Sequence, residues 1–191
     1  MQENRGKYDM LYIMRHGQTD WNKVHRIQGS TDIPLNDEGR RMALEAGEKY
    51  KDLHIDVCYC SPLKRAQETA ELVLKGRDIP IITDDRLREM SFGVCEGEEN
   101  VFEHPELPVY KLFKDPVNYI PPENAESFEE LYARTGQFME EVVRPEISKG
   151  RDVLIVGHGA MNGSIIGRVR NTPLNKFWDN LGGNCELTKL I

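Results

Sequence analysis

Four apolar runs, at 10–14 (MLYIM), 55–60 (IDVCYC), 79–82 (IPII) and 152–157 (DVLIVG), alternate with stretches of helical spacing. This alternation constrains the fold more than any other feature of the chain. Each run is short and bounded by turn residues, as a buried strand should be. Strands that are apolar on both faces need cover on both faces, and the intervening helical segments supply it. The pattern therefore predicts an α/β fold, a three-layer sandwich with a mostly parallel central sheet flanked by helices. With 191 residues, 39% of them hydrophobic, one sizeable core fits and two do not, so 1–191 reads as a single domain.

The helices carry their own boundary signals. At 36–51, Met42, Ala43, Ala46 and Tyr50 share one side, with Asn36 placed to cap the start. The stretch 61–76 offers Ser61 as cap, Pro62 at the first helical position, a stripe of Leu63, Ala66, Ala70 and Val73, and Gly76 as a stop. A third helix starts at Ser127, where Glu130 completes a capping box, and runs through Leu131, Phe138 and Val142 to Pro145. A fourth follows Gly159, and the chain ends in a strand, CELTKLI.

About 98–126 the rhythm breaks: five prolines lie among Phe102, Tyr110, Phe113 and Tyr119, which reads as an irregular, lid-like excursion beside a site. His104, Tyr110, Lys111, Lys114 and Tyr119 are its candidate substrate contacts, each equally at home on a surface. His25 and His54 carry no motif and are expected to be solvated or satisfied in the core.

The formal net charge is -7 and the basic residues are scattered, which argues against nucleic acid as a partner and leaves room for a small anion held by local arginines. No apolar stretch is long enough to span a bilayer, and the first ten residues lack a signal-peptide core, so a soluble cytoplasmic protein without a membrane partner is expected. Nothing in the sequence speaks to oligomeric state. Cys58 and Cys60 would face the same side of a strand; a metal pair with His54 is one reading, and packing beneath a helix is the favoured one.

Chemistry gathers at strand ends. The first run closes on Arg15-His16-Gly17 and the fourth on Gly157-His158-Gly159, so two strands each deliver a histidine beside glycine at the sheet's carboxyl edge, where ligands of such sheets collect. Arg65 lies in the first turn of a helix, where a cation opposes the macrodipole by about 0.3 to 1 kcal/mol. An anion seated between that helix's amides and the guanidinium would compensate, whereas the neighbouring Lys64 is expected to extend into solvent. Glu89, before a glycine-containing turn, is the plausible acid or base; Glu96 and Glu98 read as solvated loop charges. Two histidines, two arginines and a glutamate, with no metal-binding spacing and no cofactor implied, suit phosphoryl transfer through a phosphohistidine.

The segments LYIMRHGQTDWN, RIQGSTDIPLNDEG, CSPLKRAQETA, LREMSFGVCEG and VGHG, in this order, resemble the histidine phosphatase superfamily, also called the phosphoglycerate mutase-like family. The resemblance implies that His16 is the phosphorylated nucleophile, that Arg15 and Arg65 clamp the phosphoryl group, and that His158 binds its oxygen. Glu89 matches the proton donor. Asn22, Gln28 and Gly159 match phosphate contacts, with Thr19 assisting nearby.

The departures from that pattern separate its branches. Glu89 is followed by Met90-Ser91-Phe92-Gly93, where mutases carry a basic, tyrosine-containing run that grips a carboxylate. Cys95 stands where tryptophan is common in the phosphatases, Asn124-Ala125 where a glycine commonly precedes Glu126, and the chain ends soon after its last strand. The expectation is a metal-independent phosphatase acting on a small phosphorylated metabolite. The alternatives are a cofactor-dependent phosphoglycerate mutase and a non-catalytic phospholigand-binding protein.

Overall fold

The structure is a computed structural model and describes residues 10–179 and 181–191. The leader reading for the first ten residues thus falls almost wholly outside the described residues. A five-stranded sheet, ordered β3-β2-β4-β1-β5, forms the middle layer. Its strands are β1 (Leu11–Arg15), β2 (Val57–Cys60), β3 (Ile81–Thr83), β4 (Val153–Gly157) and β5 (Leu187–Lys189). The first four run parallel, and β5 pairs antiparallel with β1 at the other edge.

Around the sheet lie α1 (Asp20–Lys23), α2 (Asp37–Lys49), α3 (Lys64–Val73), α4 (Tyr110–Lys114), α5 (Phe128–Phe138), α6 (Arg144–Ser148) and α7 (Gly159–Arg170). The period-two alternation of a strand sorts the side chains into two cores. Tyr12, Met14, Cys58, Cys60, Leu154 and Val156 face one way, onto Ala43 and Ala46 of α2 and Ala66, Ala70 and Val73 of α3. Leu11, Ile13, Val57, Tyr59, Val153 and Ile155 face the other, onto Phe138 of α5 and Met161, Ile165 and Ile166 of α7. Each large aliphatic side chain so buried contributes about 1.5 to 3 kcal/mol. Cys58 and Cys60 therefore sit as small apolar residues under α3, while His54 is exposed and pairs with Asp56 at 3.3 Å.

Several boundaries differ from the sequence expectation. Asn36 caps α2 as expected, its Oδ1 accepting from Gly39 N at 2.8 Å, and the Ser127–Glu130 capping box is present. The third helix does not stop at Pro145: a π-helical turn, Met139–Val143, carries α5 into α6 with the proline in the first turn of α6, where the absent N–H is tolerated. Ser61 does not cap α3. The N-cap is Leu63, whose N–H donates to Ser61 Oγ at 3.3 Å, and the first helical amide, Lys64 N, donates to Asp32 Oδ1 at 2.8 Å. At the other end α3 closes at Val73, before Gly76. The strand expected at 79–82 is not buried: β3 is an edge strand, with Ile81 and Ile82 exposed because only β2 pairs with it.

The 98–126 stretch forms short helical pieces, α4 among them, over a third apolar cluster. In that cluster Val101, Val109 and Leu112 pack with Phe92, Phe128 and Phe177. Among the described residues no helix is long and apolar enough to cross a membrane.

Because the Asn36 side chain also donates to Gln18 Oε1 at 3.1 Å, it ties the loop after β1 to the start of α2. Asn36→Ala should lower the unfolding free energy by about 1 kcal/mol or slightly more, read from urea denaturation.

Candidate active site

The site begins where β1 and β4 end side by side. Arg15 lies opposite Gly157 in the parallel register, and His16 N donates to Gly157 O at 2.9 Å. The chain leaves β1 toward α2 on one face and leaves β4 into α7 on the other, so a crevice opens between the two exits. His16 is held at three points: its amide on Gly157, its carbonyl by Asn184 Nδ2 at 2.7 Å, and its ring by the next carbonyl. Directly after it, a Cβ on Gly17 would lie 2.6 Å from Gly39 O, so only glycine lets this turn cross the start of α2.

The two imidazoles are buried together, ring centroids 5.1 Å apart and planes inclined by 60°. Their partners fix opposite tautomers. His16 Nδ1 lies 2.7 Å from Gly17 O, an acceptor, so Nδ1 carries the hydrogen and Nε2 keeps its lone pair. His158 Nδ1 lies 3.2 Å from Arg65 Nε, a donor, so Nδ1 accepts and the hydrogen sits on Nε2, a buried atom with no protein partner. Both rings are held well below the ordinary histidine value. For His16 burial is the main cause, reinforced by Arg65 and Arg15 and partly opposed by the Gly17 carbonyl. For His158 it is burial, then Arg65, His16 and Arg15. At neutral pH the pair is thus one lone-pair donor and one N–H donor.

Two guanidiniums flank them. Arg65 is fully buried; Nη1 and Nη2 donate to Thr31 O at 2.8 Å and Gly29 O at 2.7 Å, and burial brings its pKa down to about 10, still charged at neutral pH. Its setting corrects the expected anion seat. The first α3 amide, Lys64 N, is taken by Asp32, and the guanidinium lines a cavity of about 430 Å³ together with Arg15, His16, Asn22, Gln28 and Glu89. Lys64 is exposed, as expected. Arg15 Nε is buried without a protein partner. His158 lines a small adjoining recess that shares Arg15 and Gly159 as walls with this cavity.

Thr19 is buried and does not line the cavity, but it orients two residues that do. Its Oγ1 accepts from Asn22 N at 3.1 Å and donates to Gln28 Oε1 at 3.0 Å, while Asn22 Oδ1 accepts from Thr19 N at 3.1 Å. With both amide oxygens engaged, the two NH₂ groups are left to donate. Glu89 sits at the start of α7, its oxygens accepting from Ala160 N at 3.2 Å, Met161 N at 3.0 Å and Met90 N at 2.8 Å.

Glu96 is not the solvated charge expected of it. Its carboxylate accepts from the amides of Ser30, Thr31 and Phe92 and from the hydroxyls of Ser30 and Thr31. Burial pushes its pKa up, but hydrogen bonds from Thr31, Ser30 and Phe92 outweigh that and hold it below the ordinary carboxylate value. It thereby fixes the loop whose carbonyls grip Arg65. Glu98 is exposed.

Two guanidiniums and two side-chain amides around a neutral imidazole pair have a counterpart among known proteins: the model of the histidine phosphatase superfamily (branch 1) matches residues 11–191. The chain belongs to this superfamily. The uncharacterized phosphatase PhoE of Bacillus subtilis (strain 168) is 40% identical over 149 residues, 78% of this chain and 70% of that protein. The probable phosphoglycerate mutase GpmB of Escherichia coli is 33% identical over 165 residues, 85% of this chain and 75% of that one. Among solved structures, Bacillus stearothermophilus YhfR superposes with a TM-score of 0.85 at 32% identity, covering 95% of this chain and 90% of that one.

Within this histidine phosphatase fold, the far half of the cavity was not legible in advance. None of His104, Tyr110, Lys111, Lys114 or Tyr119 lines it; the excursion contributes Val101, Phe102 and Phe113 instead. His25, expected to be solvated or in the core, lines the cavity with a φ of 55°. Asn184 and Trp178 enter from the C-terminal segment, which carries no motif to announce them.

The unfolded chain protonates His16 and His158 near 6.5, and the folded chain resists until a much lower pH. Stability is therefore unaffected above that value and lost as pH falls through it. Each ring should add about 1.4 kcal/mol per pH unit to the acid-side slope of unfolding free energy. Denaturation curves of a His16→Gln/His158→Gln variant should show that slope reduced.

Proposed function

We propose that the chain is a metal-independent phosphatase that hydrolyses small phosphomonoesters through a phosphohistidine on His16. The observation that carries the reading is the pair of opposite tautomers: a lone pair on His16 Nε2 beside a hydrogen on His158 Nε2, flanked by Arg15 and Arg65. In the first step His16 Nε2 attacks phosphorus, the ester P–O bond breaks, and Glu89 in its acid form protonates the departing oxygen. Arg15, Arg65, the His158 Nε2–H and the amide NH₂ groups of Asn22 and Gln28 take the equatorial oxygens, with the Gly159 backbone closing the same wall. In the second step the Glu89 carboxylate takes a proton from water, the water oxygen attacks phosphorus, and the P–N bond breaks. Phosphate leaves and the imidazole is neutral again.

The similarity to GpmB supports a second reading, a phosphoglycerate mutase. Opposing it, the residues after Glu89 are Met90, Ser91 and Phe92, with Met90 and Phe92 buried, so no cation there is placed to hold a carboxylate. A third reading, a phospholigand-binding protein without turnover, has less support because all the charged and imidazole groups the reaction needs are present.

Release of phosphate from p-nitrophenyl phosphate should persist in excess EDTA and fall to background in His16→Ala. Activity lost on chelation, or retained by that variant, would falsify the proposal. Phosphoglycerate with a trace of the bisphosphate separates the mutase: efficient isomerisation without net phosphate release favours it, and stoichiometric binding with no phosphohistidine favours the third reading. Thr19→Val, which removes the hydroxyl held by Gln28 Oε1 while its backbone N–H stays on Asn22 Oδ1, should lower kcat/KM by about tenfold, and the lost α1 cap should cost about 1 kcal/mol of stability.

A further inference from the structure

Beyond the reacting end, the same cavity has a second half of a different chemistry. Its wall is a run of aromatic rings. Phe92 and Phe113 have centroids 6.5 Å apart, Phe102 and Phe113 6.4 Å, and Phe113 and Trp178 4.9 Å with planes inclined by only 31°. Ile27 and Val101 complete it. The Trp178 N–H is spent on Leu112 O at 2.6 Å, which fixes the ring and leaves it no donor to offer a ligand.

Charge is distributed just as unevenly. Among the described lining residues the lysine and arginine side chains are Arg15, Arg65 and Arg26. The first two stand at the reacting end. Arg26 is paired with Glu99 at 2.5 Å and its guanidinium lies over the Trp21 ring, 5.4 Å from the centroid. A carboxylate or second phosphate on the leaving group would therefore meet an apolar wall whose one nearby guanidinium, Arg26, already faces Glu99, and would lose hydration there. A flat apolar group would gain both buried area and ring-to-ring contact.

Resting on the phosphatase reading above, we infer that the physiological substrate is a monophosphate ester of an apolar, ring-bearing alcohol, selected by the Phe92–Phe102–Phe113–Trp178 wall. Phe102 is the discriminating position. It stands at the mouth, 39% exposed, with His25 edge-on to it at 6.4 Å, so it can shift onto a ligand without disturbing the core.

The test compares two alkyl esters of similar leaving-group acidity, phenylpropyl phosphate and glycerol phosphate, so that chemistry does not mimic recognition. The native protein should favour the phenyl ester by about thirtyfold in kcat/KM. In Phe102→Ala that ratio should shrink by about fivefold. Equal rates, or a preference for glycerol phosphate or phosphoglycerate, would overturn the substrate class while leaving the phosphatase intact. So would an undiminished ratio in the variant. Failure to hydrolyse any of these esters, in native protein that melts cooperatively, would overturn both readings together.

Discussion

The arrangement rests on the parallel pairing of β1 with β4 in a single register. Setting Arg15 opposite Gly157 brings His16 and His158 out of adjacent strands at the same height, and the N–H of the first bonds the carbonyl that precedes the second. A slip of one residue would exchange the faces of every side chain on β1, sending Leu11 and Ile13 to the α2–α3 side and moving the imidazole out of reach. Two apolar faces hold that register, since each strand residue has a filled core on its own side. Fold stability and site geometry are therefore one constraint.

Around that pairing the polar groups come in two tiers. Those that face the cavity carry unspent donors or a lone pair. A further set of groups fixes their direction: Gly17 O and the cavity-lining Asn184 for His16, Thr19 for Asn22 and Gln28, and the Glu96-bound loop for Arg65. Burying Arg15 Nε and His158 Nε2 without protein partners costs stability, as a buried unsatisfied donor does. The three apolar clusters offset this cost. Such a departure from full satisfaction is what a preorganised anion site requires, because the donors are aimed before the ligand arrives.

Much of this was legible beforehand. Apolar runs of strand length, the Asn36 cap and the Ser127–Glu130 box are local signals, and local signals survive into structure. The glycine-flanked histidines were readable because a motif ties residue type to strand end. The misplacements share one cause, the reach of distant residues. Asp32 took the first α3 amide, which seemed open to a ligand; Glu96 found donors from two loops; β3 lay at the edge because strand order is not written in strand composition.

The sequence by itself determined the layers, the family and the inventory of reactive groups, because those follow from periodicity and from motifs read along the chain. Only the tertiary structure decided which nitrogen of each imidazole keeps its hydrogen, and that the excursion turns Val101, Phe102 and Phe113 inward while its lysines and His104 stay out. The reason is physical. Tautomer and side-chain direction are set by the partner a group meets across the fold, and a linear pattern names the group without naming that partner.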